Sequence, residues 1–190
     1  MKKIVLIIFV LTGCLYVNHS AAQSQDDMKK WMDYMTPAKF HQMIAKWDGE
    51  WEEEITMWMA PGVPAEFMEA SCENTMLLDG RYQESKHEGN FMGMPFKGIS
   101  VTGFDNVRKV IVSTWIDNFG TGIMYMEGPW DEASRTMNLK GKMTDPLSGK
   151  MLEIRQVTKI VDDNTQVMEQ FTTQDGKEFK SMEIKLTRKK

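Results

Sequence analysis

Hydrophobic and polar residues alternate along most of the chain from Glu50 onward. In the first such run Trp51, Ile55 and Met57 share one set of alternate positions, with Glu53 among them. A repeat of two residues predicts a β-strand, because successive side chains of a strand point to opposite faces. Similar β-prone runs follow at residues 66–78, 81–88, 96–105, 108–117, 122–130, 136–144, 151–161, 165–173 and 177–188.

Short segments rich in Asp, Asn and Gly separate these runs, for example Asp79-Gly80, Asp105-Asn106 and Asp175-Gly176. Such segments are typical of tight turns that join antiparallel neighbours. About ten antiparallel strands in a flat sheet would leave two unpaired edges, whereas closure removes both. The pattern therefore predicts an all-β fold, a single antiparallel up-and-down β-barrel of about ten strands.

One short helix is predicted before the first strand. Thr36 is a candidate N-cap, Pro37 suits the first helical position, and Gly49 suits the exit. The residues between them place an apolar stripe at helical spacing: Phe40, Met43, Ile44 and Trp47. We expect this N-terminal helix to plug or flank the barrel.

The first residues have the layout of a secretory signal. Lys2 and Lys3 precede an apolar run, Ile4–Val10, which is shorter than the roughly 20 residues of a membrane-spanning helix. We therefore expect an exported protein, periplasmic or secreted.

Two modes of processing are compatible with this leader. Cleavage after Ala22 would remove residues 1–22 as an ordinary signal peptide, whereas the lipobox-like "LTGC" would leave an acylated Cys14 as a membrane anchor. Residues 23–35 are polar with scattered Met, Trp and Tyr and are interpreted as a linker. Residues 36–190 form the predicted barrel domain.

Composition limits the classes of partner. The chain has 23 basic and 27 acidic residues and a net charge of −4, so it lacks the basic surface that nucleic-acid binding requires. We expect no nucleic-acid partner, and contact with a membrane only through an anchor at Cys14. The expected partner is a small apolar molecule.

The histidines and cysteines show no spacing typical of a metal site. His41 lies on the predicted helix, and His87 has no second ligand nearby in the sequence. Haem, which some small β-barrels bind through a histidine on a late strand, is disfavoured because no histidine follows His87. Cys72 shares a strand face with Met68 and Met76 and is interpreted as a small buried hydrophobe. The sequence thus predicts no catalytic set, no metal and no cofactor.

Several segments carry a resemblance to a known family. "HQMIAKWDGEWEEE", "GFDNVRKVIVSTWIDNFGTG", "EGPWDEASRTMNLKGKMTDPLSGK" and "DGKEFKSMEIKLTRK" resemble an uncharacterised bacterial family, the domain of unknown function numbered fifteen seventy-nine. The resemblance extends from residue 37 nearly to the end of the chain. It implies a lipocalin-like, calycin-type β-barrel and no known activity.

The strongest functional hint lies in the strand before Gly120. Its positions divide into an aliphatic face and a mixed face that carries Ser113, Trp115 and Asp117. If mixed faces point inward, they give a pocket of aromatic walls with a few polar groups, which is the usual composition of a ligand site. We predict walls from Trp51, Trp115 and Tyr125, and polar contacts from Asp117, Glu127 and Arg155.

Two other functions stay open. One is an enzyme that performs acid-base isomerisation or cyclisation, which a buried carboxylate without a structural partner would favour. The other is an envelope interaction module without a ligand, which a barrel packed solid by Met and Trp would favour.

Overall fold

Eleven strands make up most of the part of the chain that the structure describes. The computed structural model describes residues 24–190; the predicted leader and Cys14 lie outside them. The strands are β1 (Gly49–Met57), β2 (Glu66–Leu77), β3 (Tyr82–Phe91), β4 (Met94–Asp105), β5 (Val110–Asp117), β6 (Met124–Gly128), β7 (Trp130–Asp131), β8 (Thr136–Thr144), β9 (Met151–Asp162), β10 (Thr165–Gln174) and β11 (Lys177–Arg188).

Ten of these strands close into an antiparallel β-barrel. Sequential strands pair with each other from β1 to β6 and from β8 to β11, β6 pairs with β8, and β1 pairs with β11. The two-residue β7 pairs only with the start of β8, because Pro129 interrupts the predicted run 122–130. The prediction of an all-β up-and-down barrel is confirmed.

Two helices precede the strands. Residues 24–35 form a helix, α1, with ion pairs one turn apart between Lys29 and Asp33 (2.7 Å) and between Lys30 and Asp26 (2.6 Å). The linker prediction for residues 23–35 did not include this helix.

The second helix, α2 (Lys39–Ile44), continues as one 3₁₀ turn, Ala45–Trp47, so the predicted short helix is confirmed. The predicted cap is wrong: Thr36 donates its hydroxyl to the Met32 carbonyl oxygen at 2.7 Å, within the preceding segment. Instead, the backbone N–H of Ala38 donates to His41 Nδ1 at 2.9 Å.

Helix α2 is fixed to one end of the barrel by side chains of the strands. Gln83 Nε2 donates to the Ile44 carbonyl oxygen at 2.7 Å, and Asn74 Nδ2 and Trp51 Nε1 donate to the Trp47 carbonyl oxygen at 3.0 and 2.8 Å. These bonds satisfy carbonyl groups that the end of a helix otherwise leaves without donors. We call this part of the barrel the helix half, and the opposite part, where β1 ends and β2 begins, the far half.

The hydrophobic core is densest in the helix half. Ile44, Trp51 and Ile111 are fully buried there, and Phe40 stacks on Phe104 with ring centroids 5.1 Å apart. Among the described residues, no helix is long and apolar enough to cross a membrane.

Candidate functional site

Strand register fixes which side chains point into the barrel. On β5 the mixed face points inward, since Ile111 is fully buried and Ser113 is 5% exposed, whereas Ile116 on the aliphatic face is 43% exposed. On β6 the inward residue is the buried Met126. Alternation then turns Tyr125 outward.

Inward-facing side chains of the far half differ from those of the helix half in chemistry and in burial. They are mostly methionines and aromatics, and each is partly exposed rather than buried: Met57, Met68, Phe91, Phe96, Trp115, Met124, Met143, Phe179 and Met182. The far half therefore has an interior that its own side chains do not fully cover.

Five rings group on the inner surface of β3 to β5 and the following loop. We call them the aromatic cluster: His87, Phe91, Phe96, Trp115 and Phe119. The centroid of the Trp115 ring lies 5.1 Å from that of His87 and 6.2 Å from that of Phe96. The centroid of the Phe119 ring lies 5.6 Å from that of Phe96 and 6.0 Å from that of Phe91. These separations are those of favourable aromatic pairs.

Gly98 makes room for the central ring of this cluster. A Cβ added at Gly98 would lie 2.5 Å from Cη2 and Cζ2 of Trp115, closer than two unbonded carbons can approach. The Trp115 ring thus lies directly over the β4 backbone, and a larger residue at position 98 would displace it.

The polar end of Trp115 is held by its own strand. Its Nε1 donates to Asp117 Oδ2 at 2.7 Å, and the other Asp117 oxygen accepts the backbone N–H of Phe119 at 2.9 Å. Asp117 therefore positions both rings of the cluster that flank it in sequence.

A buried polar triplet lies beside the aromatic cluster. Glu53 on β1 and Cys72 on β2 are each 2% exposed, and His87 on β3 completes the group. His87 Nδ1 lies 3.0 and 3.1 Å from the two Glu53 carboxylate oxygens, and His87 Nε2 lies 3.9 Å from Cys72 Sγ. Burial, with a further contribution from the Glu53 charge, raises the pKa of the Cys72 thiol well above its usual range, so without a cation the thiol is protonated.

Sequence spacing could not reveal this triplet, because its members come from three strands. The expectation that His87 has no second ligand rested on linear distance, whereas β2 and β3 pair Cys72 directly with His87. The one available signal was the alternation along each strand, since all three residues occupy inward positions of their strands. The interpretation of Cys72 as a small buried side chain agrees with its burial.

The structure brings together only part of the predicted ligand set. Trp115 and Asp117 lie on the inner surface of the far half. Trp51 faces inward but is fully buried in the helix half, with the Arg188 guanidinium 4.4 Å from its ring centroid. Core packing covers the whole surface of Trp51, so it does not belong to the partly exposed interior of the far half.

Tyr125, Glu127 and Arg155 lie on the outer face of the barrel and not in its interior, where they were expected. Arg108 Nη2 donates to both Glu127 oxygens at 2.7 Å, and Tyr125 donates its hydroxyl to Glu127 at 2.7 Å. The Arg108 hydrogen bonds lower the pKa of the Glu127 carboxyl.

Arg155 also has an outward partner. Its Nε and Nη2 donate to the two Glu178 oxygens at 2.9 and 2.7 Å, and its guanidinium lies 3.9 Å from the Phe171 ring centroid. On β6 the face with Met126 points inward, and on β9 the face with Ile154, Thr158 and Ile160 points inward.

A separate shallow cleft of about 410 Å³ lies at the helix end. Ala38, Lys39, Phe40, Phe104, Lys109 and Trp130 line it. Its aromatic walls already pack on each other, Phe40 contacting both Phe104 and Trp130. The candidate site is therefore the far half, not this cleft.

Comparison with known proteins gives a family and no activity. No curated protein matches the chain. A family model described as "Protein of unknown function (DUF1579)" matches residues 36–188, which is the entire barrel together with α2. The chain belongs to this family of proteins of unknown function.

Proposed function

We propose that the protein binds a small apolar or amphipathic molecule in the far half of the barrel. The observation that carries the proposal is the contrast in the interior: the helix half is filled, whereas the far half presents partly exposed aromatic and methionine side chains around one buried polar triplet. Apolar walls with a few convergent polar groups are the common composition of ligand pockets, and methionine adapts its shape to different ligands.

The rim of the far half supports an apolar ligand. Large hydrophobic residues are exposed on its loops and strand ends: Met59 (63%), Phe67 (79%), Met92 (66%), Met94 (50%), Phe119 (47%), Ile123 (73%), Leu147 (96%) and Met151 (57%). The helix end exposes fewer such residues, among them Leu78 (69%) and Val107 (72%). A concentration of exposed apolar residues is typical of a binding surface. They would lower the cost of transferring an apolar molecule from its source into the barrel.

Export belongs to the same proposal. The basic start and apolar run of the leader favour a periplasmic or secreted protein, anchored through Cys14 if the lipobox is used. A soluble carrier would serve there for molecules that partition poorly into water.

The enzyme alternative is weaker. It called for a buried carboxylate near the pocket without a structural partner, and the buried Glu53 is in contact with His87. The packed helix half, on the other hand, would suit an interaction module, and the binding experiment below separates that function from a carrier.

The proposal is tested by native mass spectrometry of the full chain, purified from the envelope fraction without detergent. A bound molecule is then released by denaturation and identified. In parallel, 1-anilinonaphthalene-8-sulfonate, an amphipathic dye, is titrated into the protein and its fluorescence recorded. We expect a stoichiometric bound molecule or saturable binding of one dye.

Trp115→Ala and Trp58→Ala form the matched pair of variants. Trp115 lies inside the far half, whereas Trp58 follows β1 near the same end but contacts Lys180 on the outer face. We expect Trp115→Ala to weaken dye binding at least about tenfold, equal to 1.4 kcal/mol, and Trp58→Ala to leave it unchanged. An empty protein that binds no dye, or equal effects of both variants, would contradict the proposal.

A further inference from the structure

Three side chains with metal-ligating atoms converge inside the barrel. Glu53, Cys72 and His87 each offer one such atom, and these atoms lie within 4.8 Å of one another. They come from three adjacent strands, so the sheet itself fixes their spacing. We propose that they form a binding site for one divalent zinc ion.

The chemistry of the three groups favours a cation between them. Glu53 is a carboxylate only 2% exposed, and both of its oxygens lie nearest to the same atom, His87 Nδ1. Burying a carboxylate is costly unless charge and hydrogen bonds compensate it. A cation bound beside Glu53 would add to the compensation that its contact with His87 Nδ1 gives.

A divalent cation would balance two negative charges here. Binding would displace the Cys72 proton, and the resulting thiolate together with the Glu53 carboxylate would neutralise a charge of +2. Cys72 Sγ, 3.9 Å from His87 Nε2, would thus become a thiolate ligand.

Distances agree with zinc. His87 Nε2 and Cys72 Sγ are 3.9 Å apart, while zinc bonds are about 2.0–2.1 Å to nitrogen and 2.3 Å to sulfur. With these bond lengths, the angle at the ion between Nε2 and Sγ is roughly 125°, somewhat wider than tetrahedral. No movement of the β2 and β3 backbones is required.

Glu53 has a defined part in this site. Its contact with Nδ1 selects the tautomer that leaves Nε2 free toward Cys72, the carboxylate–histidine–metal arrangement of many zinc sites. A carboxylate oxygen also lies close enough to become a third ligand after a side-chain rotation. A mixed sulfur, nitrogen and oxygen set suits zinc, a borderline metal, better than Mg²⁺ or Ca²⁺.

His87 is the most exposed member of the triplet: its side chain is 13% exposed, whereas Glu53 and Cys72 are each 2% exposed. The centroid of its ring lies 5.1 Å from that of Trp115, which belongs to the partly exposed far half. Zinc binding itself does not depend on a ligand being bound in that half.

The test is titration of the full chain, carrying Cys14→Ser so that Cys72 is its only thiol, with Co²⁺ and then Zn²⁺. Thiolate ligation of cobalt gives an intense near-ultraviolet charge-transfer band that zinc abolishes by displacement. We expect one equivalent of Co²⁺, this band, and release of about one proton from Cys72.

Variants separate this site from adventitious binding. Cys72→Ser should remove the charge-transfer band, and Glu53→Gln should weaken Zn²⁺ binding about 10–100-fold. His41→Gln is the matched control, because His41 is a buried histidine bonded to Ala38 on α2. It should leave metal binding unchanged.

The cobalt band is measured first in the protein that keeps Glu53, Cys72 and His87, so the proposal is tested even if a variant fails to fold. Absence of the band, or a band that persists in folded Cys72→Ser, would overturn the proposal. Equal loss of Zn²⁺ affinity in His41→Gln and Glu53→Gln would overturn it as well. Dye binding in the far half that persists without any metal would leave the carrier proposal intact, so the two can fail separately.

Discussion

The two halves of this barrel consist of the same strands but differ in how fully their inward-facing side chains are buried. In the helix half, inward side chains such as Trp51 and Ile111 are fully buried and are fastened to α2 by hydrogen bonds. In the far half, inward side chains such as Trp115 stay partly exposed, with polar groups grouped beneath them. The densely packed part of the interior and the partly exposed part are thus separated along the barrel axis, so we expect substitutions in the far half to cost less stability than those in the helix half.

Among the substitutions that compare the two halves, truncation of Trp51 should have the largest effect on stability. Trp51→Ala removes a fully buried ring and its hydrogen bond to the Trp47 carbonyl oxygen, so we expect a loss of about 3–5 kcal/mol in the free energy of unfolding. Urea denaturation followed by circular dichroism measures it. Trp115→Ala should cost clearly less; an equal cost would show that the far half is as tightly packed as the helix half.

A methyl group at Gly98 should disturb the far half alone. Gly98→Ala places a carbon 2.5 Å from the Trp115 ring, and overpacking of this kind costs about 1–3 kcal/mol. The Trp115 indole N–H resonance, assigned with Trp115→Phe, should shift because its bond to Asp117 is strained. In Gly122→Ala the added carbon meets no atom within 4 Å, and an equal shift there would contradict the close contact.

Acid should weaken the helix half through His41. Burial lowers the pKa of His41 in the folded protein, so the unfolded chain takes up the proton at higher pH. Stability is therefore lost as pH falls below about 6.5, the usual histidine value, toward the folded pKa. Between pH 8 and 5 the melting temperature should fall less steeply in His41→Gln than in the parent chain. Equal declines in both proteins would show that His41 does not cause the loss of stability in acid.

The outer-face ion pair should matter least. Glu127→Gln removes the charge that Arg108 and Tyr125 contact, but the Arg108 and Glu127 side chains are 48% and 38% exposed. Exposed pairs of this kind contribute little because water and salt screen them. We expect unchanged dye binding and an unchanged melting temperature within error; a clear loss of dye binding would return Glu127 to the candidate site.

The fold was largely predictable because strand signals are local. Alternation and Asp-Gly turns located ten of the eleven strands. Two features escaped the pattern: the split at Pro129, and the tight turn at Met92 and Gly93, two residues that have positive φ. The family resemblance noted in the sequence is confirmed by the match to residues 36–188.

The site was only partly predictable because it depends on pairing between strands. The inward position of Trp115 agrees with the prediction made from the mixed face of its own strand. Alternation along β6 and β9 defines two faces but does not say which of them points inward. Tyr125 and Arg155 were therefore assigned to the wrong face. The contact between Glu53 and His87 depends on the register of three strands, and no single stretch of sequence contains it.

The pairing of β1 with β11 also sets the order in which the molecule can assemble. Lys185 on β11 contacts Glu54 on β1, which is 131 residues earlier in the chain, so this seam closes the longest loop in the barrel. Loop entropy opposes such contacts until the intervening hairpins have formed. A chain that has formed every hairpin but not this seam would still expose the edges of β1 and β11, and it is in that interval that the protein is most open to aggregation.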